Sequence, residues 1–357
     1  KLIGVLILAV ILWFVPHPAG LTDQAWHIFV AFIAAIFAII INATSILAAS
    51  LIATAVVVFT KAMPAAKAYE GFSQGFVILI VVAFLISNVV VKTGLGKRIA
   101  LTMIKWFGKS SLGLGYSLMA TDMILAPAFP SNTARSGVLY PIALSLAMDS
   151  GSDPEHGTQK RLGSYLMMLS IAGLTISSGM WVTAMAANLA GVEMAKALGV
   201  NITPLSWLLY ALVPSIAGFI LIPWFLFKVM SPELKATPQA PIMAKKMLAE
   251  LGPMSRLEKL TALIFVLMVF CWAFTDQINK MFPNLNIERT AVALLGLAVL
   301  LIAKAFNDDD LKKQGTALTT FIWFAWLYAL STGLNSSGFM SYAGKILTNY
   351  VAGMPWV

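Results

Sequence analysis

The sequence predicts an all-α polytopic membrane protein. Three observations predict it: the composition, a series of apolar segments of spanning length, and the uneven placement of the basic residues. Of 357 residues, 59% are apolar and 11% charged, where a soluble domain carries about a quarter charged. Lipid cannot hydrogen-bond the backbone, so a spanning chain satisfies its N–H and C=O groups internally, and helices do so segment by segment. A large soluble domain is excluded, because the longest polar stretch is the linker 228–259. A net charge of +9 would point to nucleic acid in a soluble protein. Here the charge lies in loops, so the expected partner is the lipid bilayer, with no nucleic acid. The single cysteine, Cys271, excludes a disulfide framework and a thiolate metal cluster.

Apolar runs of spanning length place helices near 2–15, 25–41, 45–59, 75–91, 162–178, 205–227, 260–274, 287–305 and 317–330. The first lacks a small-residue cleavage site, so it reads as a spanning helix whose start lies upstream of Lys1. Residues 97–109 mix Lys97, Arg98 and Lys105 with Ile99, Leu101, Ile104, Trp106 and Phe107, a pattern that suits a helix lying at the membrane interface. Two segments fit no simple span. Residues 112–148 are too long for one helix and too short for two, which predicts a re-entrant hairpin. Residues 162–198 are punctured by Ser, Gly, Thr and Asn188 after Ser177-Ser-Gly-Met180, which predicts a discontinuous helix. Pro204, Pro214 and Pro223 are expected to bend one helix. Trp13, Trp26, Trp106, Trp207, Trp224 and Trp356 fall near segment ends, as an interfacial belt requires.

Orientation follows from the basic residues. With a cytoplasmic N-terminus and the hairpin entering from that side, 17 of the 24 Lys and Arg fall in inside loops and 6 in outside loops. An inside excess of this kind sets topology. Arg135 alone is left at membrane depth. Sliding the chain by 244 residues lays Ile86-Ser-Asn-Val-Val-Val-Lys-Thr-Gly94 over Leu330-Ser-Thr-Gly-Leu-Asn-Ser-Ser-Gly338. Each copy leads into an amphipathic stretch, and the helix count puts the two stretches on opposite sides of the membrane. That is an inverted repeat, the plan of secondary transporters that hold solute near the midplane with broken helices. The expected divisions are a first helix and loop (1–24), a first repeat (25–227), a cytoplasmic linker (228–259) and the first part of an inverted second repeat (260–357). The partner of residues 131–133 would fall near position 375, so the second repeat is expected to be incomplete in this chain.

Ala126-Pro-Ala-Phe-Pro-Ser-Asn-Thr-Ala-Arg135 is where the hairpin turns. Ser131, Asn132 and Thr133 expose small polar side chains just before a helix begins, and the free N–H groups of that helix favour an anion. Neutral donors can hold a carboxylate without burying a second charge, and can release it. Ser131 would equally serve as a plain cap; the second break at 177–188 favours a solute site, because a midplane site needs two unwound elements. Arg135 is a charge within a spanning segment and a functional candidate on that ground. It binds a substrate carboxylate, supplies fixed charge beside the site, or snorkels to the surface. Asp122 reads as a proton or cation site, as a counter-ion to Arg135, or as a buried carboxylate bonded to hydroxyls such as Thr121. No catalytic residue and no metal-ligand set is expected. His17, His27 and His156 lie in loops or near segment ends, and Asp308-Asp-Asp310 reads as a solvated loop.

Pro130-Ser-Asn-Thr-Ala-Arg-Ser-Gly137 with Tyr140-Pro141, together with Thr183-Ala-Met-Ala-Ala-Asn188, resembles the divalent anion/sodium symporter family over essentially the whole chain. The resemblance implies a transporter of di- and tricarboxylates rather than an enzyme. It implies substrate contacts at Ser131, Asn132 and Thr133 and at Thr183, Ala184, Met185 and Asn188. It also implies a homodimer of scaffold and transport domains moving by an elevator-like displacement. Sodium-coupled members carry a hydroxyl residue four positions before the triplet's Ser and a Gly-(Ser/Thr)-Pro-Pro-Asn run in the broken helix. Here Pro127 and Ala184-Met-Ala-Ala-Asn188 stand in those places. Hard cations need oxygen ligands, so the first-repeat sodium site reads as weakened and no cofactor is expected. The pattern is closer to the exchanger branch, which includes bacterial citrate/succinate and tartrate/succinate antiporters and plastid 2-oxoglutarate/malate translocators. That implies an antiporter in a bacterial inner membrane, with Arg135 taking part of sodium's electrostatic role and its unneutralised charge opposing an empty crossing. The alternatives are a sodium- or proton-coupled symporter on the same fold and, third, an anion channel.

Overall fold

The computed structural model describes residues 1–197 and 199–351, apart from the side chains of Ala197, Tyr350 and Val351. Leu198, the expected end of the broken helix, and Trp356 of the aromatic belt lie outside the described residues. Among those described the fold is all-helical, with one isolated bridge between Ser110 and Ala236. Asp23–Ile40, Gly75–Lys92, Pro204–Met230 and Gly315–Ser336 are each long and apolar enough to cross a membrane. Arg256–Ala273 and Thr275–Met281 pass the same test together as a pair bent by 74°. Leu2–Phe14, Ile46–Phe59 and Arg289–Ile302 are shorter apolar helices. These helices mark an integral membrane protein. Pro204 sits in the first turn of its helix behind the Thr203 cap and starts it rather than bending it.

The chain divides into two compact units. One comprises Lys1–Val81 and Gln314–Val357. Thr22 and Ser45 start two of its helices by accepting the N–H groups of Ala25 and Ala48, an expected N-cap arrangement. Its core is made of small residues: Ala31 and Ala35 pack with Ala49, Ala53 and Val57, together with Leu330 and Leu334. Small side chains let helices approach closely where lipid offers no hydrophobic drive between them. Gly71 is the tightest case, since a Cβ there would stand 2.1 Å from the carbonyl oxygen of Ala325.

The other unit is Val82–Lys313. In it, Gly94 adopts φ 82° and leads from Gly75–Lys92 into the 13-residue helix Leu95–Phe107. In the first unit, Gly338 adopts φ 86° between Gly315–Ser336 and the 13-residue helix Phe339–Val351. Both glycines occupy the left-handed region that a side chain disfavours.

The amphipathic segment expected at the membrane interface is helical; part of its apolar surface is buried in protein, while Trp106 and Phe107 stay exposed. Ala100, Leu101 and Ile104 pack with Leu114 and Leu118 and with Ala240 and Ala244. The last two belong to a helix, Gln239–Leu251, inside the segment read as a polar linker. Its Ala240, Met243, Ala244, Met247, Leu248 and Leu251 recur at spacings of three and four, one face of a helix. Arg98 secures this layer. Its Nε and Nη2 donate to the buried Glu258 carboxylate, the latter at 3.1 Å, and its Nη1 donates to the Gly252 carbonyl at 2.9 Å. Glu258 also closes a capping box with Ser255. Arg98→Ala strands that carboxylate and is expected to cost about 2–3 kcal/mol, read as a lowered thermal midpoint in detergent. Arg98→Lys should recover only part, because an ammonium cannot reproduce the paired guanidinium geometry.

Candidate functional site

Two of the helix breaks in the unit Val82–Lys313 lie against each other. At the first, Ser111–Leu125 tightens into the 3₁₀ turn Ala126–Ala128, and the chain then runs extended until Asn132–Asp149 begins. Pro127 and Pro130 have no N–H to continue a helical ladder. Phe129, fully buried with Val90, Leu95, Leu125 and Val138, anchors the turn. At the second, Gly163–Met180 gives way to the 3₁₀ turn Val182–Ala184 and then Ala186–Ala197.

Each break satisfies the other's orphaned backbone groups. Thr183 Oγ1 donates to the Pro127 carbonyl at 2.9 Å, and the Ala186 N–H donates to the Pro130 carbonyl at 3.2 Å. Trp181 Nε1 donates to the Met123 carbonyl at 3.1 Å. Asn188 Nδ2 holds the end of its own preceding helix, donating to the carbonyls of Ser178 at 2.8 Å and Trp181 at 3.2 Å. Unpaired backbone groups away from water cost free energy comparable to a lost hydrogen bond, so a broken helix in a protein interior needs such substitutes.

Beside the breaks sits Arg135, with no solvent exposure. Its Nη1 donates to Ser177 Oγ at 2.8 Å, and its Nη2 donates to Ser178 Oγ at 2.6 Å and Asn132 Oδ1 at 2.7 Å. Asp122, 1% exposed, lies 3.6 Å from Nη1 through Oδ1. Ser177 bridges the pair, accepting from Arg135 and donating to Asp122 Oδ2. Asp122 and Arg135 are therefore brought together, and a surface-directed Arg135 is ruled out by its burial. Thr121 is not the partner expected for Asp122: its hydroxyl donates to the Ser117 carbonyl of its own helix at 2.8 Å, and Ser177 takes that place. Arg135 Nε and Asp122 Oδ1 have no hydrogen-bond partner among the described residues.

The remaining sequence candidates divide by what they leave open. Ser131 spends its hydroxyl on the cap, accepting the Ala134 N–H at 3.3 Å. Asn132 is half-buried and has its oxygen occupied, and its amide N–H groups have no partner among the described residues. Thr133 is exposed, and its hydroxyl has no partner among the described residues. Ala184 is buried, whereas Met185 is 40% exposed. Ser177 and Ser178 were missed as partners of Arg135. The available signal was two consecutive hydroxyls ending a helix just before a break, in a chain with one arginine at membrane depth. Asp122 already supplies a counter-charge to Arg135, so the bare-charge argument against an empty crossing does not hold for this geometry. Among the described residues no group of three or more His, Cys, Asp or Glu is placed to hold a metal ion.

The sequence profile of the family described as "Sodium:sulfate symporter transmembrane region" matches residues 1–357. A Bacillus subtilis protein named for malate transport, YflS, is 38% identical over 362 residues, covering 100% of this chain and 74% of the relative. Dicarboxylate transporter 1, chloroplastic, of Spinacia oleracea is 35% identical over 355 residues, covering 99% of this chain and 61% of the relative. Inner membrane protein YbhI of Escherichia coli is 35% identical over 360 residues, covering 99% and 74% respectively. The chain thus spans about three quarters of these bacterial relatives and about three fifths of the spinach one.

Proposed function

The chain belongs to the sodium:sulfate symporter family, and from that premise we propose that it is a secondary transporter that exchanges one dicarboxylate for another across a bacterial inner membrane. The observation that carries the reading is the pair of helix breaks stitched to each other, with the N–H end of Asn132, the Thr133 hydroxyl and a helix N-terminus left open beside them. These are donors with no acceptor of their own, suited to a carboxylate. The names of the bacterial and chloroplast relatives support the substrate class.

The residues at the first break offer a sodium ion few free oxygens, the Thr133 hydroxyl among them. Pro127 offers no side-chain oxygen and its carbonyl is engaged by Thr183. Asn132 Oδ1 is taken by the Arg135 guanidinium, and Ala184 and Met185 supply no side-chain oxygen. This favours exchange over the sodium-coupled symporter, the second reading, in which the cation sites would lie elsewhere in the protein. Within the proposal, residues 112–148 form a re-entrant hairpin and 25–227 and 260–357 are inverted repeats. Support for the repeat is the matching left-handed glycine and 13-residue helix at Gly94 and Gly338. The N-terminus is cytoplasmic on the positive-inside count, and the working form is a homodimer with an elevator-like displacement.

Uptake of labelled succinate by the full-length protein in proteoliposomes tests this. Uptake is expected to require internal dicarboxylate and to ignore a sodium gradient. Sodium-driven uptake into vesicles empty of dicarboxylate would replace exchange with symport. Asn132→Ala is expected to weaken succinate by about tenfold or more, the worth of hydrogen bonds to a charged group.

A further inference from the structure

The two asparagines at the breaks are held by opposite ends. Asn132 gives its oxygen to Arg135 Nη2 at 2.7 Å, with Ser178 Oγ also at 2.7 Å, so its N–H groups are the presented end. Asn188 is reversed. Its nitrogen donates to two backbone carbonyls, those of Ser178 at 2.8 Å and Trp181 at 3.2 Å. A carbonyl only accepts, so this fixes the amide orientation and uses both N–H groups of Asn188. Its Oδ1 is then the presented end, and it has no partner among the described residues. Both side chains anchor on Ser178, one at the hydroxyl and one at the carbonyl.

A dicarboxylate with a plain hydrocarbon chain has only acceptors once ionised. It satisfies the N–H groups of Asn132 and is repelled by the oxygen of Asn188. A hydroxyl on the chain supplies the missing donor. We propose that Asn188 is a specificity determinant, its Oδ1 accepting a hydrogen bond from the hydroxyl of a 2-hydroxy dicarboxylate whose carboxylate is held at Asn132. This rests on the dicarboxylate reading above. A hard cation is the poorer occupant, because it wants about six or more oxygens. Asn188 would be its sole uncommitted side-chain oxygen in the second break: Thr183 Oγ1 is directed to Pro127, and Ala184 and Met185 have none.

The test is competition against labelled dicarboxylate exchange by the full-length protein in proteoliposomes, with malate, succinate and 2-methylsuccinate as competitors. The last replaces the hydroxyl by a methyl of similar size. In the wild type, malate is expected to compete about three- to tenfold better than the other two, the worth of one neutral hydrogen bond. Asn188→Ala should bring that ratio to about one, and Asn188→Ser should retain part of it. General loosening of the break would weaken all three alike, so the ratio separates recognition from structure. Equal competition by malate and methylsuccinate in the wild type would overturn the inference, and needs no variant. So would a variant that keeps the ratio, or one that alters sodium dependence alone. Failure of every dicarboxylate to compete would remove the dicarboxylate reading itself, whereas intact exchange without a hydroxyl preference removes only the role given to Asn188.

Discussion

Arg135→Ala is expected to lower stability by about 3–5 kcal/mol, the cost of leaving one partner of a buried ion pair uncompensated. Asp122 is 1% exposed and would keep only the Ser177 hydroxyl. The thermal midpoint of the purified protein in detergent should fall sharply, and yield with it. The double variant Asp122→Leu with Arg135→Met removes both charges and should recover most of the lost stability, since apolar replacements of a buried pair are often neutral. Exchange should not recover in the double variant, because Asn132 Oδ1 has lost the Arg135 donor that orients it. Arg135→Ala melting like the wild type would show that the two residues do not depend on each other.

Gly71→Ala should cost about 3 kcal/mol, at or beyond the upper end of ordinary overpacking. The added Cβ would meet Ala325 O at 2.1 Å, Ala325 C at 2.8 Å and Ala325 Cα at 3.0 Å. All three are backbone atoms, so no rotamer change relieves the clash and the 3₁₀ turn Glu70–Ser73 must part from Gly315–Ser336. Gly344→Ala is the control: it lies in the helix Phe339–Val351 with no atom within 4 Å of an added Cβ. That substitution should stabilise by about 0.5–1 kcal/mol through the lost flexibility of glycine. Thermal midpoints measured side by side separate the two outcomes.

Most spanning helices were legible because lipid imposes length and apolarity on them, and both leave a direct trace in the sequence. The breaks were legible for a related reason. Pro127, Pro130 and the Ser-Asn-Thr run are conspicuous in apolar surroundings, as is Asn188. What the sequence concealed is pairing across distance. Asp122 stood out as a carboxylate at membrane depth, and its neighbour Thr121 was the hydroxyl named for it, whereas the one it meets is Ser177, 55 residues away. A hydroxyl on a helix is claimed first by its own helix's carbonyls, which removed Thr121. The helix Gln239–Leu251 was hidden by composition: Gln239, Lys245, Lys246 and Glu250 made the segment read as a loop, although its apolar positions kept helical spacing.

The bridge that Ser177 makes between Asp122 and Arg135 has an electrical consequence. A membrane potential acts on net charge moved through it, at about 2.3 kcal/mol per elementary charge per 100 mV. A locked acid–base pair contributes a dipole and no net charge. In the proposed exchanger the pair therefore adds nothing to the charge moved in either half-cycle, and the current per cycle is the difference in valence between the two cargoes. Swapping one divalent anion for another should be silent to an electrode, and a trivalent anion swapped for a divalent one should not.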